Sequence, residues 1–159
     1  MNSGFAVLCL ALGIGVVAGL RTFTAPAVVA WAARLGWINL HGSLLAFMGS
    51  VWAVAIFTIL AMVEFVVDQL PTTPPRTAPV GLSARIVTGA LCGACMAVGG
   101  GASLRLGALA GVIGGIAGAF GGKAARVGLV RALRVPDFAI AIPEDLIAIG
   151  LGVFLASRF

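Results

Sequence analysis

A single arginine, Arg21, stands about 17 residues into an apolar run that extends from near Gly4 to Ala33 and holds no other charge. An ionisable group deep in a spanning segment costs at least about 2.5–3.5 kcal/mol on insertion scales, so it marks a functional site or a buried ion pair. Its surroundings, Ala18-Gly19-Leu20-Arg21-Thr22-Phe23-Thr24-Ala25-Pro26, put two hydroxyls, Thr22 and Thr24, beside it. A glycine precedes the arginine, and Pro26 withholds a donor from the turn before it. That combination suits a discontinuous helix whose freed backbone N–H groups and guanidinium face one cavity. The chemistry would be reception of an anion or carboxylate. The competing reading makes Arg21 a packing device that neutralises a buried acid.

The chain has five carboxylates to answer it: Glu64, Asp68, Asp137, Glu144 and Asp145. Glu64 and Asp68 are four apart, which puts them on one helix face. An Arg21–Glu64 ion pair would make each cheaper to bury. If both acids lie at headgroup level, however, their charge costs little. Glu144 and Asp145 follow Pro143, which suits the first turn of a helix, where acids complement the dipole. That pair is therefore read either as a cap or as part of the same polar site. Substrate-binding candidates are Arg21, Thr22, Thr24, Glu64, Asp68, Glu144 and Asp145. No catalytic or metal-ligating set is expected, because there is no His or Cys cluster, nucleophile elbow or metal-ligand spacing. The expectation is a protein that is not an enzyme and takes no cofactor.

The elements that must position these residues are membrane helices. Of 159 residues, 61% are hydrophobic and 9% charged, against about half and a quarter in soluble domains. A soluble globule, a nucleic-acid binder and a disordered tail fit poorly. The net charge of +5 is scattered between apolar runs, as topology signals and contacts with anionic lipid are, so no nucleic-acid partner is expected. Five runs approach the roughly 20 apolar residues that a bilayer crossing needs: 4–33, 42–70, 86–104, 106–129 and 138–157. The fold class is all-α, a polytopic helical bundle of about five spans in one domain, 1–159. Pro71-Thr72-Thr73-Pro74-Pro75 is its strongest boundary. The first run is expected to persist in the mature protein, since Met1-Asn2-Ser3-Gly4 has no basic residue and the run is too long for a signal.

Other features fit this frame. Gly89-x-x-x-Gly93, Gly107-x-x-x-Gly111-x-x-x-Gly115 and Gly114-x-x-x-Gly118-x-x-x-Gly122 align small residues for close helix packing or a dimer interface. Gly99-Gly100-Gly101 and Gly121-Gly122 are the alternative, breaks beside a cavity. Gly13-x-Gly15-x-x-Ala18 imitates a dinucleotide motif with no strand before it, Gly122-Lys123 a phosphate loop with Ala117 and Ala124 in place of its glycine and hydroxyl residue, and Cys92-Gly93-Ala94-Cys95 a redox pair inside a membrane span; Cys9 also lies in an apolar run. Trp31 and Trp37 flank a loop at headgroup level, where His41 is read as a solvated residue. With five spans, Arg76, Arg85, Arg126, Arg131 and Arg134 fall on one side and Arg34, Arg105 and Arg158 on the other. The positive-inside rule then gives a cytoplasmic N-terminus and an external C-terminus. Halves 1–71 and 80–159 echo each other: Gly15-Val16-Val17-Ala18-Gly19-Leu20 against Gly115-Ile116-Ala117-Gly118-Ala119-Phe120, followed by Arg21 or Lys123 and later by an acidic pair. This pattern suggests an internal repeat.

Taken with Glu64-x-x-x-Asp68-Gln69-Leu70-Pro71, Ala84-Arg85-Ile86-Val87-x-Gly89-Ala90 and Glu144-Asp145, the Arg21 segment resembles the bacterial membrane family called domain of unknown function 4126. The likeness covers nearly the whole chain; Gln69 departs from it, since lysine is expected there, which weakens any local Asp–Lys pair. The resemblance implies a multi-pass membrane protein and supplies no substrate. The expected function is a small inner-membrane transporter or channel-like protein, homodimeric in the lipid bilayer, with an Arg/carboxylate site for a small, anionic solute. The alternatives are an accessory protein whose buried charges only stabilise the bundle, and a membrane enzyme acting on lipid headgroups.

Overall fold

The computed structural model describes residues 4–68, 77–134 and 137–159. Among these residues there are six α-helices and no strand: α1 Gly4–Leu20, α2 Thr24–Arg34, α3 Val51–Val67, α4 Pro79–Gly99, α5 Leu104–Leu133 and α6 Asp137–Ala156. A 3-10 turn, Ala46–Gly49, leads into α3. Met1-Asn2-Ser3, Gln69, Leu70, the Pro71–Pro75 boundary and Arg76 lie outside the described residues.

Local chemistry sets several ends. Ser50 caps α3 by accepting the Ala53 N–H at 3.1 Å, as N-cap serines do. Pro79 occupies the first turn of α4, where its missing N–H costs nothing. The Gly99–Gly101 run does end α4, with Gly101 at φ 73°, a conformation glycine adopts without strain. Gly121 and Gly122, by contrast, lie inside an unbroken α5.

The glycines decide the packing. A Cβ built on Gly89 would lie 2.6 Å from the Gly111 carbonyl oxygen, and one on Gly15 would lie 2.8 Å from Gly111 Cα. The α5 stripe at Gly107, Gly111 and Gly115 meets Gly93, Gly89 and Arg85 of α4, while Gly114 and Gly118 meet Leu12, Val16 and Gly19 of α1. Backbone thus touches backbone on two faces of α5, where dispersion is gained without apolar bulk. The two echoing segments are packed on each other and run in parallel. Cys92 and Cys95 are buried thiols in the same core.

Contacts along the bundle also fix helix directions. Val7 of α1 and Phe159 both lie against Gly100, and Ile38 lies against Gly99. At the other end Arg85 reaches Gly19, and Asp145 reaches Arg21. We call these ends the basal and apical poles. Val17 and Val28 both pack on Gly152, with distances of 3.6 and 3.4 Å to a Cβ built there. Residues 17 and 28 therefore lie at one level, and α2 runs back toward the basal pole beside α6.

This overturns the expectation that 4–33 is one span. The run is a hairpin, α1 up and α2 down, with Arg21-Thr22-Phe23 at its apex. The helices then alternate, so both ends of the described chain lie at the basal pole rather than at opposite poles. The other limits shift as well. The 42–70 run is α-helical only over Val51–Val67 within the described residues, after the 3-10 turn, and α4 begins at Pro79 rather than at residue 86. Among the described residues, α4 and α5 are long and apolar enough to cross a membrane, and α1 and α3 are apolar helices of 10–17 residues.

Candidate functional site

The apex is built by a helix end that cannot cap itself. The Arg21 N–H closes α1 on the Val17 carbonyl at 2.8 Å, and α2 resumes with the Ala27 N–H on the Phe23 carbonyl at 3.0 Å. Phe23, at the N-cap of α2, offers no capping side chain. The cap comes from α3: Glu64 Oε1 accepts the Thr22 N–H at 2.7 Å, and Oε2 accepts the Phe23 N–H at 2.9 Å. A carboxylate at a helix N-terminus satisfies orphan donors and complements the dipole. Pro26 is third in α2, where a missing donor goes unnoticed.

The backbone therefore takes Glu64, and the expected Arg21–Glu64 ion pair is replaced by another arrangement. The Arg21 side chain is 0% exposed; its Nη1 pairs with Asp68 Oδ2 at the end of α3 and its Nη2 with Asp145 Oδ1 in α6, both acids being 13% exposed. The guanidinium carbon lies 5.6 Å from the Phe65 ring centroid. Thr22 and Thr24 are buried beside it, and Thr24 Oγ1 and Arg21 Nε have no hydrogen-bond partner among the described residues.

Six of the seven predicted residues are thus brought together. The seventh, Glu144, turns to Arg126, 3.6 Å away. Nor does Glu144-Asp145 cap α6: the helix begins at Asp137 and Pro143 lies inside it, which carries Asp145 down to the level of Arg21.

Sequence reasoning missed Arg85, which it placed in a loop. Arg85 is 5% exposed; its Nε donates to the Gly19 carbonyl at 3.1 Å and its Nη1 to the Gly81 carbonyl at 3.0 Å. The available signal was Pro79 as a first-turn residue, which starts the helix early enough to include it. Arg85 thus ties the end of α1 to the first turns of α4, next to the residues that hold Arg21. An incoming anion would have to displace a carboxylate from Arg21, since Asp68 and Asp145 already pair with it.

Fold and site together define an all-α bundle with an ionic cluster at the tip of an internal helical hairpin. The family model described as Domain of unknown function (DUF4126) matches residues 8–157, and the chain belongs to that family. The matched region contains every residue of the cluster. No curated protein and no solved structure matches the chain.

Proposed function

We propose that this is a small multi-pass membrane protein that moves a small solute, with Arg21 recognising an anionic group and the carboxylates carrying a compensating proton. One observation carries the reading: a fully buried guanidinium is held by acids from two other helices. Ion pairs of this kind can exchange partners, and buried charge that did no work would be costly to keep.

A membrane setting is supported by the outward faces. On α3, Trp52 is 78% exposed and Ile56, Ile59, Met62 and Val66 also face outward, a pattern that lipid tolerates and water does not. In this proposal α3 to α6 cross the bilayer and the α1–α2 hairpin enters from the basal side. Arg21 then sits roughly 25 Å from the start of α1, at about 1.5 Å per residue, near the apical face rather than at the midplane. The 30-residue α5 reaches about 45 Å and carries Lys123, Arg126, Arg131 and Arg134 beyond the hydrocarbon. Under the positive-inside rule this supports an apical pole on the cytoplasmic side of a bacterial inner membrane. Both described ends would face outward, so the N-terminus changes sides relative to the five-span count. A homodimer would help so short a bundle to enclose a path.

Proteoliposomes with an internal pH dye, challenged with gradients of small carboxylates and inorganic phosphate, test this. At least one gradient should drive proton movement in the wild type and none in folded Arg21→Gln. Silence across the panel, or unchanged flux in the variant, would refute it. A second reading, a purely structural lock, is favoured by one feature: both Glu64 oxygens and both Arg21 terminal nitrogens are already engaged. It predicts no flux and loss of the fold in Arg21→Gln.

A further inference from the structure

At the pole opposite Arg21, a cavity of about 240 Å³ opens between the end of α2 and the start of α3, lined by Arg34, His41, Ser50 and the small residues Ala33, Ala46 and Gly49. Its two ionisable wall residues, Arg34 and His41, are both able to donate hydrogen bonds. No aspartate or glutamate occurs in the basal segments 34–50, 99–105 or 156–159. Ser50, the N-cap of α3, is on the same wall, with its hydroxyl accepting the Ala53 N–H.

We propose that this cavity is a binding site for a phosphate group, carried by an anionic lipid headgroup or free in solution. The Arg34 guanidinium supplies the planar fork that matches phosphate oxygens, and the His41 imidazole adds a second donor on the same wall. At about 240 Å³ the cavity falls below the roughly 300 Å³ that drug-sized ligands need, so it admits a headgroup and leaves acyl chains outside. The setting matches a headgroup: all three tryptophans, Trp31, Trp37 and Trp52, sit around this pole and are exposed, as rings at a lipid–water boundary are. The headgroup source rests on the membrane reading above; phosphate recognition does not.

The test is native mass spectrometry of the detergent-purified full chain with phosphatidylglycerol or phosphatidylcholine, and thermal shift with inorganic phosphate. The wild type should retain phosphatidylglycerol at least fivefold over phosphatidylcholine, and Arg34→Gln/His41→Gln should lose that preference. A phosphate-dependent melting shift in the wild type alone, without lipid preference, assigns the site to a soluble phosphate. Equal retention of both lipids with no phosphate shift overturns the proposal, as does a preference that survives in the double variant. Arg34→Gln alone, at an exposed position, serves if the double variant does not fold. Because Arg21 is untouched, failure of the transport reading leaves these outcomes unchanged.

Discussion

Neutralising Arg21 should destabilise the protein more than neutralising either acid it holds. In Arg21→Gln, Asp68 and Asp145 lose their shared cation and face each other at 13% exposure. Removing one partner of a buried pair costs about 3–5 kcal/mol, a large part of the 5–15 kcal/mol typical of a domain. Asp145→Asn differs, because Arg21 keeps Asp68 and no buried charge is left without a partner. We expect a cost of about 1 kcal/mol, that of a single weakened hydrogen bond. The triple variant Arg21→Gln/Asp68→Asn/Asp145→Asn removes all three charges and should recover more than half of the loss. Equilibrium unfolding in mixed detergent micelles, followed by fluorescence of the tryptophans at the far pole, reads global stability without perturbing the site. The reasoning fails if Arg21→Gln lies within 1 kcal/mol of the wild type, or if the triple variant is less stable than the single one.

Gly89→Ala would place a methyl 2.6 Å from the Gly111 carbonyl oxygen and, by forcing α4 and α5 apart, should cost about 1–3 kcal/mol. Gly121→Ala, with nothing within 4 Å, should be neutral or gain up to about 1 kcal/mol; the same unfolding assay compares them. Glu64→Gln keeps one acceptor for the two apex N–H groups and should cost about 1–3 kcal/mol, with faster hydrogen exchange at Thr22 and Phe23 as its signature. Arg85→Lys should not restore what Arg85→Met loses in thermal stability, because one ammonium cannot reproduce a fork that reaches Gly19 and Gly81.

Much of the site was legible in the sequence because polar residues in an apolar run are conspicuous. Arg21, the threonines, the Glu64–Asp68 face and the helix break before Pro26 all followed from residue type and spacing. The direction of the chain after the break did not. An apolar run of this composition reads alike whether it continues or folds back, and only the contacts of Val28 and Ile38 decide. Asp145 was left between a cap and the site because proline marks both helix starts and helix interiors, and Pro143 is of the second kind. Arg85 was hidden by a helix start set too late. The glycine contacts were legible as close packing; that Gly114 and Gly118 serve α1 was not.

The hairpin is tested most directly by which side of the membrane each end can be labelled from. In a background with Cys9, Cys92 and Cys95 replaced by alanine, single cysteines are placed at Phe5, Ser157 and Arg134. An impermeant maleimide added to sealed vesicles of one orientation should label positions 5 and 157 together, and position 134 only from the opposite face. Labelling of 5 and 157 from opposite faces would mean that residues 4–33 cross once, and the apex holding Arg21 would not exist.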